Sequence, residues 1–236
     1  MSNGVKAWSY STWSNYDLCP LQFKLRKIDK LPEPQGPAFE KGIRVHNGVA
    51  KYVTGAEAHL PAEALLFPNM VNLIEEIRVL PPEAKQVEQQ WGYKADFSPT
   101  GWFDRGNEKV WFRSVLDVGV CYEDMTYEDV DWKTGKRYAV SNDLQMETQA
   151  LSVMYRMPAV KHVTTRLAYL EAGGPVGSAE GFEFGEFPAT VKQKLADKWR
   201  KKVEPMFTDT VFAPRPNDKC KWCHFSRSNT GKCAFG

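Results

Sequence analysis

Two short stretches, "SVLDVGV" at 114–120 and "DVDWKTG" at 129–135, place the strongest constraint on the fold. Both have the composition and alternation of β-strands, in which side chains two positions apart point to the same side. Asp131 and Lys133 therefore share one face of their strand, and Asp117 projects away from the apolar side of the preceding strand. If the two strands pair, the carboxylates of Asp117 and Asp131 lie side by side.

Two adjacent carboxylates repel each other unless a positive charge lies between them. A hard divalent cation such as Mg²⁺ supplies that charge, and it is bound by a few carboxylates, water and phosphate oxygens. Lys133 beside such a metal can hold or polarise an attacking water and offset charge that develops on a phosphate. The simpler alternative is a hairpin of surface acids with one lysine, since a D-x-K sequence is common by itself.

A helix predicted at 38–53, "AFEKGIRVHNGVAKYV", contributes a histidine to the same region. Its period of 3.6 residues predicts an apolar stripe that faces the sheet and contains Phe39, Ile43, His46, Ala50 and Val53. An imidazole on that stripe can complete the coordination of a metal. It can equally be a core histidine whose hydrogen bonds are satisfied, which is the commoner role of such a residue.

A later helix, predicted at 142–157, carries two glutamines. Gln145 and Gln149 are four positions apart, so they lie on the same side of the helix. There they can orient a metal ligand or a phosphate, or they can be solvated, and the pattern alone favours neither.

The predicted elements follow the order of three helices, three strands, a helix, a strand and a helix. The remaining helices are predicted at 9–28 with a break near Pro20, at 62–79 and at 188–207, and the remaining strands at 85–93, at 162–174 and, as an optional addition, at 180–187. This order predicts an α/β fold with a central mixed sheet flanked by helices. The 236 residues are enough for a single domain with its own core.

Near the C-terminus, "DKCKWCHFSRSNTGKC" places Cys220, Cys223 and Cys233 at a spacing typical of metal ligands. A closed zinc site or an iron–sulfur cluster normally has four ligands, so one is missing from this segment.

The first residues have no apolar signal segment, and no apolar run reaches the roughly 18 residues of a membrane helix. We therefore expect an intracellular, reducing location, where cysteines are metal ligands or buried thiols more often than disulfides.

The net charge of +2 neither requires nor excludes a nucleic-acid partner. Basic residues are nevertheless concentrated at 24–30 and 192–202, and acidic residues at 123–131. Basic runs can bind a phosphate backbone, which makes affinity fall with salt, but charge runs are also the usual composition of a solvated face. Aromatic residues that can stack on unpaired bases, or pack in the core instead, are Trp13, Tyr16 and Trp222.

In this order, "GIRVH", "SVLDVGV", "DVDWKTG" and "LQMETQ" resemble the RecB-type branch of the PD-(D/E)XK nuclease superfamily. The pattern of that branch is G-x-x-x-H, an apolar strand with an acid, D/E-x-K-T-G and then Q-x-x-x-Y. Gln149 stands where the branch has tyrosine, so the role of this position is open. Glu88, on the strand before Asp117, is similar to an accessory acid of the family.

The resemblance implies a role for each matched residue. The ligands of Mg²⁺ or Mn²⁺ would be His46, Asp117, Asp131 and the carbonyl of Trp132. Lys133 would position the water that attacks phosphorus, and Gln145 would support the site.

The cysteines are similar to those of the iron–sulfur members of this branch, which include CRISPR-adaptation nucleases and AddB-type helicase–nucleases. Those proteins carry an early cysteine in C-P-x-x-F/Y, and "CPLQF" here implies that Cys19 is the fourth ligand, with Cys220, Cys223 and Cys233. The last spacing is C-x9-C rather than the usual C-x5-C, so Zn²⁺ is the alternative to [4Fe–4S], with His224 as a further possible ligand.

The fold implied by the resemblance is a restriction-endonuclease-like core over residues 1–236, with a small cluster lobe formed by 9–30 and 208–236. The implied function is a metal-dependent DNA exonuclease that acts on single-stranded or end-exposed DNA. The alternatives are a catalytically inactive DNA-binding or assembly module with this fold, and a zinc-stapled DNA-binding protein. The resemblance also implies a cytoplasmic, in some cases virus-encoded, protein whose partners are recombination or CRISPR-adaptation proteins or further copies of itself.

Overall fold

A mixed six-stranded sheet separates two groups of helices in the computed structural model, which describes residues 3–135, 142–170 and 181–236. The helices are α1 (Tyr10–Leu18), α2 (Pro20–Phe23), α3 (Pro37–Val53), α4 (Pro68–Val79), α5 (Asp143–Arg156) and α6 (Lys192–Thr208). The strands are β1 (Lys85–Tyr93), β2 (Pro99–Thr100), β3 (Phe112–Cys121), β4 (Thr126–Lys133), β5 (His162–Tyr169) and β6 (Phe182–Pro188). The predicted α/β class, with a mixed sheet flanked by helices, is confirmed.

The strand order across the sheet is β2-β1-β3-β4-β5-β6. β4 and β5 pair in parallel and are connected through α5, whereas the other neighbours pair antiparallel. The optional strand predicted at 180–187 is β6, and β2 is a short edge strand that the sequence pattern did not predict. The ends of two predicted strands, residues 171–174 and residue 180, lie outside the described residues.

The first helix begins and ends where the sequence predicts. Ser9 and Thr12 form a capping box, in which the Ser9 N–H donates to Thr12 Oγ1 at 2.6 Å and the Thr12 N–H donates to Ser9 Oγ at 3.3 Å. Pro20 starts α2, which continues as a π-helical turn over Lys24–Ile28. Cys19 therefore lies at the junction of α1 and α2 in an extended conformation.

Both faces of the sheet are buried. On one face, under α1, α5 and α6, Trp8 stacks on Phe112 and Trp199, with ring centroids 4.3 and 5.3 Å apart. On the other face, α3 and α4 cover a core that includes Val118 and Trp132. Because α3 and α5 lie on opposite faces, the histidine and the glutamines predicted for the site reach it from opposite sides of the sheet.

A lysine on β1 fixes α3 against the sheet. Lys85 Nζ donates to the backbone carbonyls of Val53, Ile77 and Arg78, at 3.2, 3.3 and 2.6 Å. These carbonyls belong to the last turns of α3 and α4, where a cation satisfies unpaired acceptors and interacts favourably with the helix dipole. The contact holds the helix that carries His46 at a defined position beside β1.

The apolar stripe predicted for α3 is wrong in its first half. Val45, Val49 and Val53 are the buried residues of this helix, whereas Phe39 and Ile43 are 53% and 48% exposed. Two overlapping apolar stripes are compatible with the sequence of this helix. The sheet and α4 cover the stripe of the three valines, and its contact with the core begins only at Val45.

The single helix predicted at 62–79 is also wrong. It is divided into a 3₁₀ turn at Ala62–Leu65 and α4, which begins at Pro68. Phe67 is extended, as expected for a residue before proline, and this extended residue interrupts the helix.

The segment after α6 folds back onto the N-terminal helices. Phe212 packs between Tyr16 and Phe23, with ring centroids 6.3 and 6.2 Å away. Asn217 Nδ2 donates to the Leu18 carbonyl at 3.3 Å, and the Arg215 side chain donates to a backbone carbonyl of α1.

Among the described helices, none is long and apolar enough to cross a membrane.

Candidate active site

β3 and β4 separate at the two aspartates. The backbone pairing between β3 and β4 ends at Val118 and Val130. Asp117 and Asp131, the next residue of each strand, therefore face each other just beyond the paired region. There the backbone N–H of Trp132 donates to Asp117 Oδ2 at 2.9 Å. The strand pattern therefore predicted the neighbouring carboxylates, and the separation of the strands makes room for the side chains between them.

Three donor side chains converge around Asp117. His46 Nδ1 lies 3.1 Å from Asp117 Oδ2, and the donor atoms of His46, Asp117 and Glu88 all lie within 4.8 Å of one another. Glu88 lies on β1 opposite Asp117, and its φ of 52° departs from strand geometry. Such left-handed residues are uncommon outside glycine and occur often at functional sites. One imidazole and two carboxylates are a donor set that fits a divalent cation.

Asp131 is held by a different group of side chains. Its Oδ1 accepts hydrogen bonds from Gln145 Nε2 at 2.8 Å and from Gln149 Nε2 at 3.0 Å, and its Oδ2 forms an ion pair with Lys133 Nζ. Both glutamines thus orient a carboxylate, so the solvated alternative is excluded for them. Asp131 does not belong to the three-residue donor group, although it lies beside Asp117.

The charges of the site are interdependent. Burial by itself would lower the pKa of His46, but the hydrogen bond and charge of Asp117 outweigh it and raise that pKa. Burial raises the pKa of Asp131, an effect that the positive charge of Lys133 limits. Burial would lower the pKa of Lys133, but Asp131 outweighs it, so the pKa is raised and the lysine stays protonated at neutral pH.

The acidic run at 123–131 is a solvated face only in its first half, where Glu123 and Asp124 are exposed. Glu128 and Asp129 are buried together with Asp131, and Glu128 is bound by Arg166 and by the Tyr122 hydroxyl. Burial, with the charges of Asp131 and Asp117, raises the pKa of Asp129 well above its usual range. Charge composition cannot reveal this, because the register of the sheet decides which acids are covered.

The cysteines of the predicted ligand set line one cavity, between the α1–α2 junction and the C-terminal segment; they are Cys19, Cys220, Cys223 and Cys233. N–H groups donate to three of the sulfurs: Arg215 N to Cys19 Sγ at 3.5 Å, Asn217 N to Cys220 Sγ at 3.3 Å and Gln22 Nε2 to Cys223 Sγ at 3.1 Å. Donors to sulfur are typical of thiolate ligands. His224 does not line this cavity, and Cys121 lies apart on β3.

Many side chains of the two basic runs have partners within the protein. The paired residues are Lys24 with Asp29, Arg26 with Glu33, Lys198 with Glu147 and Arg200 with Asp197. Of the three predicted stacking aromatics, Trp13 and Tyr16 are buried in the core, whereas Trp222 is 70% exposed. The runs as wholes are therefore weak candidates for a phosphate-binding surface.

Fold and site together define an α/β protein with a restriction-endonuclease-like core and an acid–lysine centre at separated strands. The sequence model of the PD-(D/E)XK nuclease superfamily matches residues 7–228. This chain belongs to the PD-(D/E)XK nuclease superfamily, and its general function is that of a nuclease.

Two solved structures are similar over most of the chain. The protein SSO0001 is 10% identical with a TM-score of 0.43, and the alignment covers 94% of this chain and 84% of that one. A protein from Eubacterium rectale, provisionally described as an exonuclease, is 10% identical with a TM-score of 0.45, and the alignment covers 94% of this chain and 88% of that one. A search of curated proteins finds no match.

Replacing Gln149 by methionine tests whether this glutamine supports Asp131. The variant keeps the volume but removes one hydrogen bond to a carboxylate, so we expect activity to fall about tenfold. A hydrogen bond to the ionised form lowers a pKa, so its loss raises the pKa of Asp131 and moves the acidic limb of the pH–rate profile to higher pH. The control is Gln193→Met on the exposed side of α6. An unchanged pH profile with normal activity would contradict this role.

Proposed function

We propose that this nuclease is a Mg²⁺- or Mn²⁺-dependent exodeoxyribonuclease of the RecB-type branch, acting on single-stranded or end-exposed DNA. The observation that carries the proposal is the convergence of His46, Glu88 and Asp117 beside the ion pair of Asp131 and Lys133. Carboxylates, an imidazole and a half-buried lysine at one point are groups that can support metal-assisted hydrolysis of a phosphodiester.

His46, Glu88 and Asp117 would hold the cation, with Asp131 and the Trp132 carbonyl as the further ligands that the resemblance implies. When bound, the cation supplies charge neutralisation at the phosphate and lowers the pKa of a bound water. Lys133 holds the attacking water and places a positive charge beside the phosphate oxygens. In the reaction a water oxygen bonds to phosphorus, the bond to one ester oxygen breaks, and that oxygen leaves with a proton.

Gln145 and Gln149 act on Asp131 alone in this scheme. Their amide groups fix the carboxylate so that its second oxygen points to Lys133. The tyrosine of the family pattern is thereby replaced by a residue that donates to the same acid as Gln145. This arrangement supports a competent centre, rather than the alternative of an inactive binding module.

We further propose that the four cavity-lining cysteines hold a [4Fe–4S] cluster that joins the two termini in a lobe formed by 9–30 and 208–236. All four lie in the described ranges, and no three of their sulfur atoms are within 4.8 Å of one another. In a tetrahedral zinc site with Zn–S bonds of about 2.3 Å, the sulfurs are less than about 4 Å apart. The sulfurs therefore do not have the spacing of a single tetrahedral Zn²⁺ site, and the choice of [4Fe–4S] rests on the resemblance.

The setting that we propose is a single domain over residues 1–236 in a reducing, cytoplasmic location. Its partner is DNA, with recombination or CRISPR-adaptation proteins, or further copies of this chain, as the proposed assembly. The described cysteines are all free of disulfides, which supports a reducing location.

The test is degradation of single-stranded and duplex DNA labelled at either end, with Mn²⁺, with Mg²⁺ and with EDTA. We expect cleavage with either metal and none with EDTA, faster on single strands than on blunt duplex, with the labelled end reporting the polarity. DNA binding without cleavage under all conditions would replace the proposal by that of an inactive binding module. Cleavage that persists in EDTA would contradict metal dependence.

A further inference from the structure

A cleft of about 420 Å³ opens beside Asp131 on the α5 face of the sheet. Gln145 and Asp131 line it at the catalytic end, and the start of α1, the first half of β3 and the loop after β2 form its other walls. Lys27, Trp102 and Arg113 are also among its lining residues. The cleft is thus continuous with the proposed active site and lies outside the group of metal donors.

Trp102 lines the cleft, and the next residue, Phe103, contacts the same arginine of the lining, Arg113. The Arg113 guanidinium lies against the rings of Trp102 and Phe103. Its central carbon is 5.3 Å from the ring centroid of Trp102 and 5.9 Å from that of Phe103. Arg113 Nε also donates to the Trp102 carbonyl at 3.0 Å, which fixes the loop. Phe103 is 69% exposed, so it contributes little to the core. An exposed phenylalanine held in place beside a tryptophan presents ring faces to a ligand.

Two cations of this cleft lack a salt bridge to any described residue, although Arg113 is close enough to Asp104 to help lower the pKa of that carboxyl. Within the described parts of the chain, neither Lys27 nor Arg113 has a carboxylate within ion-pair distance, whereas their neighbours Lys24 and Arg26 are paired. A lysine and an arginine without a salt bridge, beside the half-buried Trp102 and the exposed Phe103, fit two of the three components of a nucleotide, the phosphate and the base.

We propose that this cleft binds the unpaired nucleotide next to the scissile phosphate of a single DNA strand. The base stacks on the rings of Trp102 and Phe103, and Lys27 and Arg113 bind its phosphates. This inference rests on the proposed function, because the cleft is assigned through its continuity with Asp131. It makes the preference for single strands a property of this wall, since only an unpaired base can turn its face to a side chain.

The decisive comparison is between Phe103→Ala or Trp102→Ala and Phe184→Ala. Phe184 is a half-exposed phenylalanine on β6, at the edge of the sheet opposite β2, and serves as the matched control. Steady-state cleavage of a single-stranded oligonucleotide and of a blunt duplex of the same sequence is measured for each variant. We expect loss of either ring to raise the KM for the single strand about tenfold, with little change in kcat or in duplex cleavage. The control is expected to behave as wild type.

A second measurement reports binding without cleavage. A single-stranded oligonucleotide that contains 2-aminopurine is bound with the metal chelated, and stacking on a ring quenches its fluorescence. We expect the quenching to be lost in Phe103→Ala and Trp102→Ala but not in Phe184→Ala. Arg113→Gln is expected to reduce the slope of log Kd against log salt by about one, as loss of one phosphate contact does.

The possible outcomes separate this inference from the proposed function. If wild type cuts DNA while both ring variants keep the wild-type KM and quenching, the cleft is not the strand site, and the nuclease stands. An equal rise in KM on duplex would overturn the preference for an unpaired base. If wild type cuts neither substrate, the proposed function itself fails, and the subsite fails with it.

Discussion

Replacement of Lys133 by alanine is expected to reduce DNA cleavage about 10³-fold or more, with DNA binding and Mn²⁺ binding retained. Lys133 Nζ is ion-paired with Asp131, and this charge keeps the lysine protonated at neutral pH despite its burial. The variant therefore loses both the positioned water and the charge that offsets the developing negative charge on phosphate. End-labelled single strands in the presence of Mn²⁺ provide the measurement.

Matched variants distinguish loss of catalysis from loss of structure. Lys51→Ala removes an exposed lysine of α3 that pairs with Glu57, and it is expected to leave activity unchanged. Asp117→Asn is expected to lose Mn²⁺ binding as well as cleavage, whereas Lys133→Ala loses cleavage alone. Thermal unfolding checks that each variant is folded, because alanine at 133 leaves Asp131 without its cation. Activity of Lys133→Ala within a few-fold of wild type would remove this lysine from the mechanism.

Replacement of Cys19 by serine is expected to abolish the broad visible absorption of an iron–sulfur cluster and to lower the Tm by about 10 °C or more. Cys19 and Cys220 are about 200 residues apart, and a link between them removes on the order of 5 kcal/mol of loop-closure entropy from the unfolded chain. Without the link, the C-terminal segment keeps only contacts such as those of Phe212 with α1 and α2. Iron and sulfide content, the visible spectrum and the Tm are measured.

The control for the cysteine experiment lies in the same chain. Cys121 is on β3, away from the cavity, so Cys121→Ser is expected to keep the absorption and lose little stability. A colourless wild type that contains one zinc per chain would replace the cluster by Zn²⁺. A wild type with neither metal, whose Tm does not change in Cys19→Ser, would reduce the four residues to ordinary thiols.

Local patterns predicted which side chains share a face, because side-chain direction within one element depends on covalent geometry. The period of two in β4 places Asp131 and Lys133 on one face, and the spacing of four in α5 brings Gln145 and Gln149 onto one acid. The proline after Cys19 likewise marked the junction between the first two helices. Each shared face is contained within one element, whereas the contact of the two glutamines with Asp131 is made between α5 and β4.

Several features could not be predicted, because they depend on which elements meet. The left-handed backbone of Glu88, opposite Asp117, has no signal in the local sequence. The burial and the raised pKa of Asp129 follow from its position inside the sheet, although its sequence reads as a charged surface. The preference of α3 for its valine stripe is decided by α4 and the sheet.

The sequence by itself determined the order of the elements, the pairing of the acids with a lysine and the separation of the cysteines between the two ends of the chain. The tertiary structure decided which acids are covered, which donors gather around Asp117 and which cations line the cleft with Trp102. The physical reason is the range of the interactions. Side-chain direction follows from backbone geometry within a few residues, whereas burial and charge pairing arise between segments that lie far apart along the chain.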